Sequence, residues 1–205
     1  MSEGTKQKTK RYPARIFCRA TIVCPSCLKR FKERAEQCPH CGFDAHSTVR
    51  QFNYTPPVLE CLMDHAGVTD DQTRSAVIAA SDRVSAMFPQ VKLYFCMVRL
   101  GEEVKLPEFG FWMMNACILQ EGQTEIDRAW SILLIVDVER GIASVTPGYA
   151  IEAFMEDSGW EKLLTDISPQ LNNEDYREAL LGYVQGVESL LSKESQKVRN
   201  IIKIK

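Results

Sequence analysis

Histidine is scarce in this sequence: three residues in the whole chain, two of them, His40 and His46, beside a cysteine cluster. General acid–base chemistry would therefore rest on carboxylates alone. No Ser-His-Asp order and no glycine-rich phosphate loop is present, which removes two common signatures of acyl and phosphoryl transfer. No stretch approaches the roughly 18 consecutive apolar residues of a membrane helix, so no membrane span is expected. Met1 to Arg11 is polar and lysine-rich with no apolar segment behind it, unlike a secretory signal. Internal repeats of 20 to 50 residues are also lacking.

What is present is ordinary in bulk and uneven in detail. A hydrophobic content of 45% and a charged content of 25% suit a soluble globular chain. A length of 205 residues suits one medium domain with a small accessory one. Residues 1–34 carry ten Lys or Arg against two Glu, although the net charge of the whole is −2. The remainder is correspondingly acidic. Such a split points to two parts with different partners: a basic arm that meets phosphates or anionic lipid, or one that only solvates the chain.

The chain divides accordingly. Residues 1–15 read as a basic flexible arm, 16–43 as a cysteine module, and 44–57 as a polar linker ending in Pro56-Pro57. Residues 58–193 read as a packed domain, and 194–205 as a basic tail. Within the domain, Thr69-Asp70-Asp71-Gln72 has the form of a capping box. Val77, Ala80, Val84 and Met87 then give one apolar helical stripe. Val91 to Val98 is β-prone, Leu106 to Leu119 reads as a helix with Pro107 in its first turn, and Ile132 to Val136 is an aliphatic strand ending at Asp137. Glu139-Arg140-Gly141 turns into a second strand at Ile142–Thr146. Phe154 to Ile167 reads as helix, and Tyr176, Leu180, Tyr183, Val187 and Leu190 mark a long amphipathic one. Strands apolar on both faces need helices on both sides. The fold class is therefore α/β, a mixed β-sheet sandwiched between helices, with a small N-terminal zinc ribbon. Gly182 and Gly186 in the last helix each cost about 1 kcal/mol relative to Ala, and close approach of helix to sheet is the expected return.

The sharpest signal is Cys24-Pro25-Ser26-Cys27 and Cys38-Pro39-His40-Cys41-Gly42, two C-P-x-C units ten residues apart. Each unit turns two sulfurs toward one point, and four thiolates about 2.3 Å from one ion make a closed tetrahedral site. A redox role fits a single C-x-x-C better than two at this spacing. The segment is too small for a core of its own and needs the ion to fold. Iron takes the same ligands; a reducing compartment and the frequency of zinc favour structural Zn²⁺. His40 and His46 are the alternative ligands. Metal-paired cysteines beside scattered ones at Cys18, Cys61, Cys96 and Cys117 favour the cytoplasm, with Cys96 reading as a small core hydrophobe. Around the module, Arg19, Lys29, Arg30, Lys32 and Arg34 with Phe17 and Phe31 have the makings of a nucleic-acid surface. The competing reading packs Phe31 inside and leaves the charges in water.

From about Met63 to Leu191 the chain resembles the TPM domain family, an α/β domain of bacterial envelope and photosystem-repair proteins. The residues that carry the resemblance are Ile132-Leu133-Leu134-Ile135-Val136-Asp137 with Glu139-Arg140, then Gly148-Tyr149-Ala150-Ile151-Glu152 and Asp157. Leu62 to Thr69, with Asp64 and Gly67, resembles the family's opening, and Ser168-Pro169, Asp175-Tyr176 and the last helix its ending. Asp127-Arg128-Ala129-Trp130 stands where the family often has N-N-G, Ala150 where it has a second glycine, and Met155-Glu156-Asp157 where it has L-P-D. Some members are phosphatases or bind calcium, and others are interaction modules, so the fold leaves function open.

Three functional readings follow. The favoured one is a cytoplasmic, non-catalytic protein-interaction module with a protein partner. The second is a divalent-metal-dependent phosphatase, with Asp64, Asp137 and Asp157 as an acidic pocket for Ca²⁺ or Mg²⁺. Against it, Asp64 and Asp157 have the look of helix caps and Asp137 of a turn former. The third is nucleic-acid binding through residues 1–34.

Overall fold

The computed structural model describes residues 21–32 and 35–203, with side chains to residue 197. The arm 1–15, with Phe17, Cys18, Arg19 and Arg34, lies outside the described residues.

Two strands, β1 (Thr21–Val23) and β2 (Arg30–Lys32), pair antiparallel beside the cysteines. The helix α1 (Ala45–Gln51) follows, within the segment expected to be an open linker. The prolines at 56 and 57 lie too far downstream to forbid it. Asp44 caps it, accepting from the Ser47 N–H at 2.8 Å. Phe52 then anchors its end, 3% exposed and edge-on to Phe109 at 5.4 Å. The prolines instead join the fold: the Pro57 carbonyl accepts from Ile118 N at 3.0 Å.

The main sheet has the order β3-β4-β5-β6, from β3 (Leu62–Asp64), β4 (Lys92–Val98), β5 (Ser131–Asp137) and β6 (Ile142–Pro147). The first three run parallel and β6 returns antiparallel, with Asp137 opposite Ile142 and Ile132 opposite Pro147. The expected mixed α/β sandwich forms. Side-chain alternation between two covered faces explains the apolar runs Leu93–Val98 in β4 and Ile132–Val136 in β5. Phe95, Met97, Leu134 and Val136 enter the core under α2 (Asp71–Met87), α6 (Asp157–Asn172) and α7 (Tyr176–Lys203). Tyr94, Cys96, Leu133 and Ile135 enter the opposite core under α3 (Leu106–Ala116). Two short helices, α4 (Glu125–Ala129) and α5 (Tyr149–Glu152), complete the element order.

Three local expectations are corrected. The cap of α2 is Asp70, whose carboxylate accepts from Thr73 N at 2.7 Å, while the Thr69 hydroxyl turns back to Asp64 at 2.7 Å. The stripe on α2 ends one turn early, since Val77, Ala80 and Val84 are buried but Met87 is 49% exposed. Gly182 and Gly186 admit α6, not the sheet: a Cβ on Gly186 would lie 2.4 Å from Leu163 Cδ2, and one on Gly182 3.9 Å from Ile167.

Candidate functional site

The cysteine module is built from two turns of the same design. In the first, Cys24 N donates to Lys29 O at 3.0 Å and Leu28 N to Cys24 O at 2.9 Å. In the second, Cys38 N donates to Phe43 O and Gly42 N to Cys38 O, both at 2.8 Å. Each turn closes on a residue in the left-handed region, Leu28 at φ 57° and Gly42 at φ 74°. Only glycine adopts this without cost. The turns bring the four sulfurs together: Cys24 Sγ lies 3.6 Å from Cys41 Sγ, and Cys27 Sγ 3.7 Å from Cys38 Sγ. A tetrahedron with metal–sulfur bonds of about 2.3 Å has edges of about 3.8 Å, so the donor set fits one ion of that kind. Both separations are far beyond a disulfide bond. All four sulfurs lie within 4.8 Å of one another, and among the described residues no other His, Cys, Asp or Glu joins such a group; His40 and His46 stand outside it. Burial pushes the Cys24 thiol up to about 12. Burial also acts to raise Cys38, but the backbone N–H groups of His40 and Cys41 and the thiols of Cys24 and Cys27 outweigh it, bringing it down to about 7. Amides aimed at a sulfur favour its thiolate, the form a metal binds. The remaining described cysteines join no such group. Burial raises Cys96 to about 12 and Cys117 to about 11, and Cys96 is the core residue the sequence suggested.

The module is seated on the larger domain rather than held apart from it. Val23 N donates to Glu152 Oε1 at 3.1 Å, and Arg30 Nη1 reaches the same oxygen at 3.4 Å. The Arg30 fork also holds Asp157, Nε to Oδ2 at 3.2 Å and Nη2 to Oδ1 at 2.5 Å. Elsewhere Lys105 Nζ donates to Ser26 Oγ at 3.1 Å, and Phe43 meets Phe111 edge-to-face at 5.6 Å. Burial raises the Glu152 pKa; the Val23 N–H and Arg30 oppose this, and Asp157 adds to it. Gly148 makes the seat possible. A Cβ there would fall 2.5 Å from the carbonyl oxygens of both Arg128 and Ala129, so only glycine lets α5 turn against the end of α4. Trp130 stacks on Phe154 at 5.5 Å behind it. Between module and domain runs a cleft of about 890 Å³, walled by Ile22, Leu28 and Phe31 on one side and Phe111, Val145 and Trp160 on the other.

The three aspartates do not converge. Asp64, at the end of β3, spends both oxygens on its own loop: Oδ1 accepts from Gly67 N at 2.8 Å and Oδ2 from Thr69 N at 2.7 Å. Burial would raise its pKa, but the Thr69 hydroxyl and the backbone N–H groups of Thr69, Gly67 and Val68 hold the carboxyl below the usual range. Asp137 is fully buried at the end of β5, paired with Arg140 Nε at 2.6 Å and accepting from Glu139 N at 3.1 Å. Arg140 in turn donates to Val104 O at 2.9 Å, tying the turn to the approach of α3. Asp157 opens α6 beyond the opposite end of β6 and faces Arg30. Strand ends on one side and a helix start on the other cannot make one pocket. Of the residues proposed to meet nucleic acid, Arg30 is ion-paired within the protein and Phe31 lines the cleft, while Lys29 and Lys32 are exposed.

The residue that sequence reasoning passed over is Glu152. It stood in view as part of Gly148-Tyr149-Ala150-Ile151-Glu152, yet received no role. The available signal was charge: a basic first segment and an acidic remainder are suited to each other.

No helix among the described residues is long and apolar enough to cross a membrane. No curated protein matches the chain in sequence. The solved structures that share the fold include two determined by NMR in solution. The N-terminal domain of the cg2496 protein from Corynebacterium glutamicum is 15% identical, with a TM-score of 0.50 over 63% of this chain and 78% of that one. The N-terminal domain of a protein from P. gingivalis is 14% identical, with a TM-score of 0.51 over 74% and 92%. The family model of the TPM domain matches residues 62–190, the whole sheet with α2 to α6 and most of α7: the chain belongs to the TPM domain family.

Proposed function

We propose that this chain is a cytoplasmic zinc-ribbon protein whose TPM domain acts as a non-catalytic protein-interaction module. The observation that carries the reading is the shared cleft: the cysteine module sits on Glu152 and Asp157 and walls, together with the domain, a largely apolar space. Concave apolar surface with a few fixed polar groups is what binding sites are made of. Meanwhile the carboxylates best placed for chemistry at the strand ends, Asp64 and Asp137, are spent on loop amides and on Arg140. Zinc is the ion that suits four thiolates at this spacing, and a closed four-sulfur set makes it structural. The seven described cysteines are all free, which accords with a reducing compartment.

The test is direct. Protein purified without added metal is analysed for its elements, then incubated with p-nitrophenyl phosphate and either Mg²⁺ or Ca²⁺. Stoichiometric zinc and no turnover are expected. Turnover that disappears in a folded Asp137→Asn variant would replace this reading with a divalent-metal phosphatase. Crosslinking under reducing conditions should recover a stoichiometric protein partner; retention on single-stranded DNA that falls steeply with salt would instead favour nucleic acid.

A further inference from the structure

The cleft has a feature that names its occupant's shape. Among the described residues, strand β6 is bonded on one side only, to β5. Gly148 N donates to Ser131 O at 2.7 Å. In an alternating antiparallel ladder, this makes Thr146–Leu133 and Ser144–Ile135 the bonded pairs. Val145 and Ala143 therefore turn their N–H and C=O groups outward. Pro147 occupies the same outward register, where its missing N–H costs the ladder nothing. Every residue of β6 from Ile142 to Pro147 lines the cleft. An open edge of this kind is a template for another strand, and the described residues of the cysteine module face it across the cleft without pairing to it.

Charge says what that strand carries. Lys105, Arg128 and Arg140 line the cleft, and each is already engaged: Lys105 with Glu108 and Ser26, Arg128 with Glu125 and the Met114 and Cys117 carbonyls, Arg140 with Asp137 and the Val104 carbonyl. Glu36, Glu102 and Glu161 also line it, and among the described residues no ion pair involves them. We infer that the cleft receives an extended peptide segment of alternating apolar and basic residues, added as a strand to the free edge of β6. The main chain supplies affinity through Ala143 and Val145, apolar side chains enter between Phe31 and Trp160, and basic ones meet the three unpaired glutamates. This rests on the interaction reading and gives its partner a chemistry.

The experiment is fluorescence anisotropy on the full-length, metal-loaded protein. The probe is a fluorescein-labelled eight-residue peptide alternating Lys and Val, compared with a Glu–Val peptide and with a Lys–Val peptide N-methylated at every second residue. The Lys–Val probe should bind, and either change should weaken it at least about tenfold, because one reverses the charge and the other removes the backbone donors. Val145→Pro should weaken it as much while leaving the ladder to β5 intact. Should that variant fail to fold, the methylated probe on the unaltered protein still decides. Equal binding of methylated and unmethylated probes, or no binding of the Lys–Val probe, overturns the proposal. So does sedimentation as a dimer that Val145→Pro disrupts, since a second copy would then own the edge. A stoichiometric crosslinked partner that survives Val145→Pro leaves the interaction reading standing and removes only the cleft; probe binding with no partner recovered does the reverse.

Discussion

Arg30 and Asp157 lie 127 residues apart in the chain and meet through two contacts, Nε to Oδ2 at 3.2 Å and Nη2 to Oδ1 at 2.5 Å. The same guanidinium reaches Glu152, whose side chain is only 13% exposed. One arginine thus joins the cysteine module to two carboxylates of the larger domain, beside the Val23 N–H that shares Glu152.

Replacing it should separate seating from folding. Asp157 is 56% exposed, and exposed pairs contribute about 0.2–1 kcal/mol, so Arg30→Ala should change the melting of the large domain little. Hydrogen exchange in β1 and β2 should quicken instead. The titration of Glu152 gives a second readout. Arg30 acts to lower its pKa while burial raises it, so removing the arginine should raise it further if the module stays in place. A carboxyl-labelled NMR titration of Glu152 that does not move, with unchanged exchange, would deny Arg30 this role.

Metal removal should unmake the module and spare the domain. Both hydrophobic cores are built from residues between Phe52 and Leu191, none of them a metal ligand. Cys38→Ser, or a strong chelator, should abolish bound metal and the β1–β2 pairing while one cooperative melting transition persists. Leu28→Gly should act in the opposite sense. At φ 57° a leucine is strained where Gly42 in the matching turn is not, a cost of roughly 1–2 kcal/mol. Tighter metal retention against a competing chelator is the expected result, and weaker retention counts against the symmetry of the two turns.

Two glycines make a matched pair. Gly148→Ala drives a methyl to 2.5 Å from two backbone carbonyls, which cannot swing aside as a side chain can. A loss of at least about 1–3 kcal/mol is expected from overpacking. Gly182→Ala meets only Ile167, at 3.9 Å, and sits inside α7, so it should stabilise by up to about 1 kcal/mol. Urea denaturation of both variants gives the comparison. A neutral Gly148→Ala would mean that α4 and α5 are not held against each other.

The legible parts of this protein were those written locally. The run Ile132–Val136 announced β5 because a doubly covered strand needs apolar residues on both faces, and two C-P-x-C turns announced a metal site because each carries its geometry within four residues. Strand β3 escaped notice because three residues, Leu62–Asp64, carry no period. Helix α1 was hidden behind Pro56-Pro57, and only its packing on α3 through Phe52 shows why a polar heptamer is ordered. The seat on Glu152 was not legible at all. Arg30 looks like any solvated or phosphate-seeking arginine until a partner 122 residues away is folded against it. Asp64, Asp137 and Asp157 were individually conspicuous and collectively misleading, because turn-forming and cation-binding aspartates look alike until the loops around them are seen.

Asp64 offers the cleanest test of that last point, through pH. Its folded pKa lies below the ordinary 3.8 because hydrogen bonds to Thr69, Gly67 and Val68 outweigh burial. A carboxyl depressed on folding stabilises the native state above its unfolded pKa, and that contribution is lost as pH falls through the folded value. Asp64→Asn keeps the shape but aims an amide donor at N–H groups, leaving donors unsatisfied at a cost of about 1–3 kcal/mol. The gap between the parent protein and Asp64→Asn in urea denaturation should therefore be wide at neutral pH and narrow below about pH 4, closing as Asp64 takes up its proton. Other depressed carboxyls, such as Asp70 and Asp127, are common to both proteins and cancel in the difference. A gap that stays constant from pH 7 to pH 3 would mean that the loop after β3 is held by packing and not by the ionised carboxylate. A gap that closes only when Ca²⁺ is withdrawn would return Asp64 to the cation site from which its hydrogen bonds now remove it.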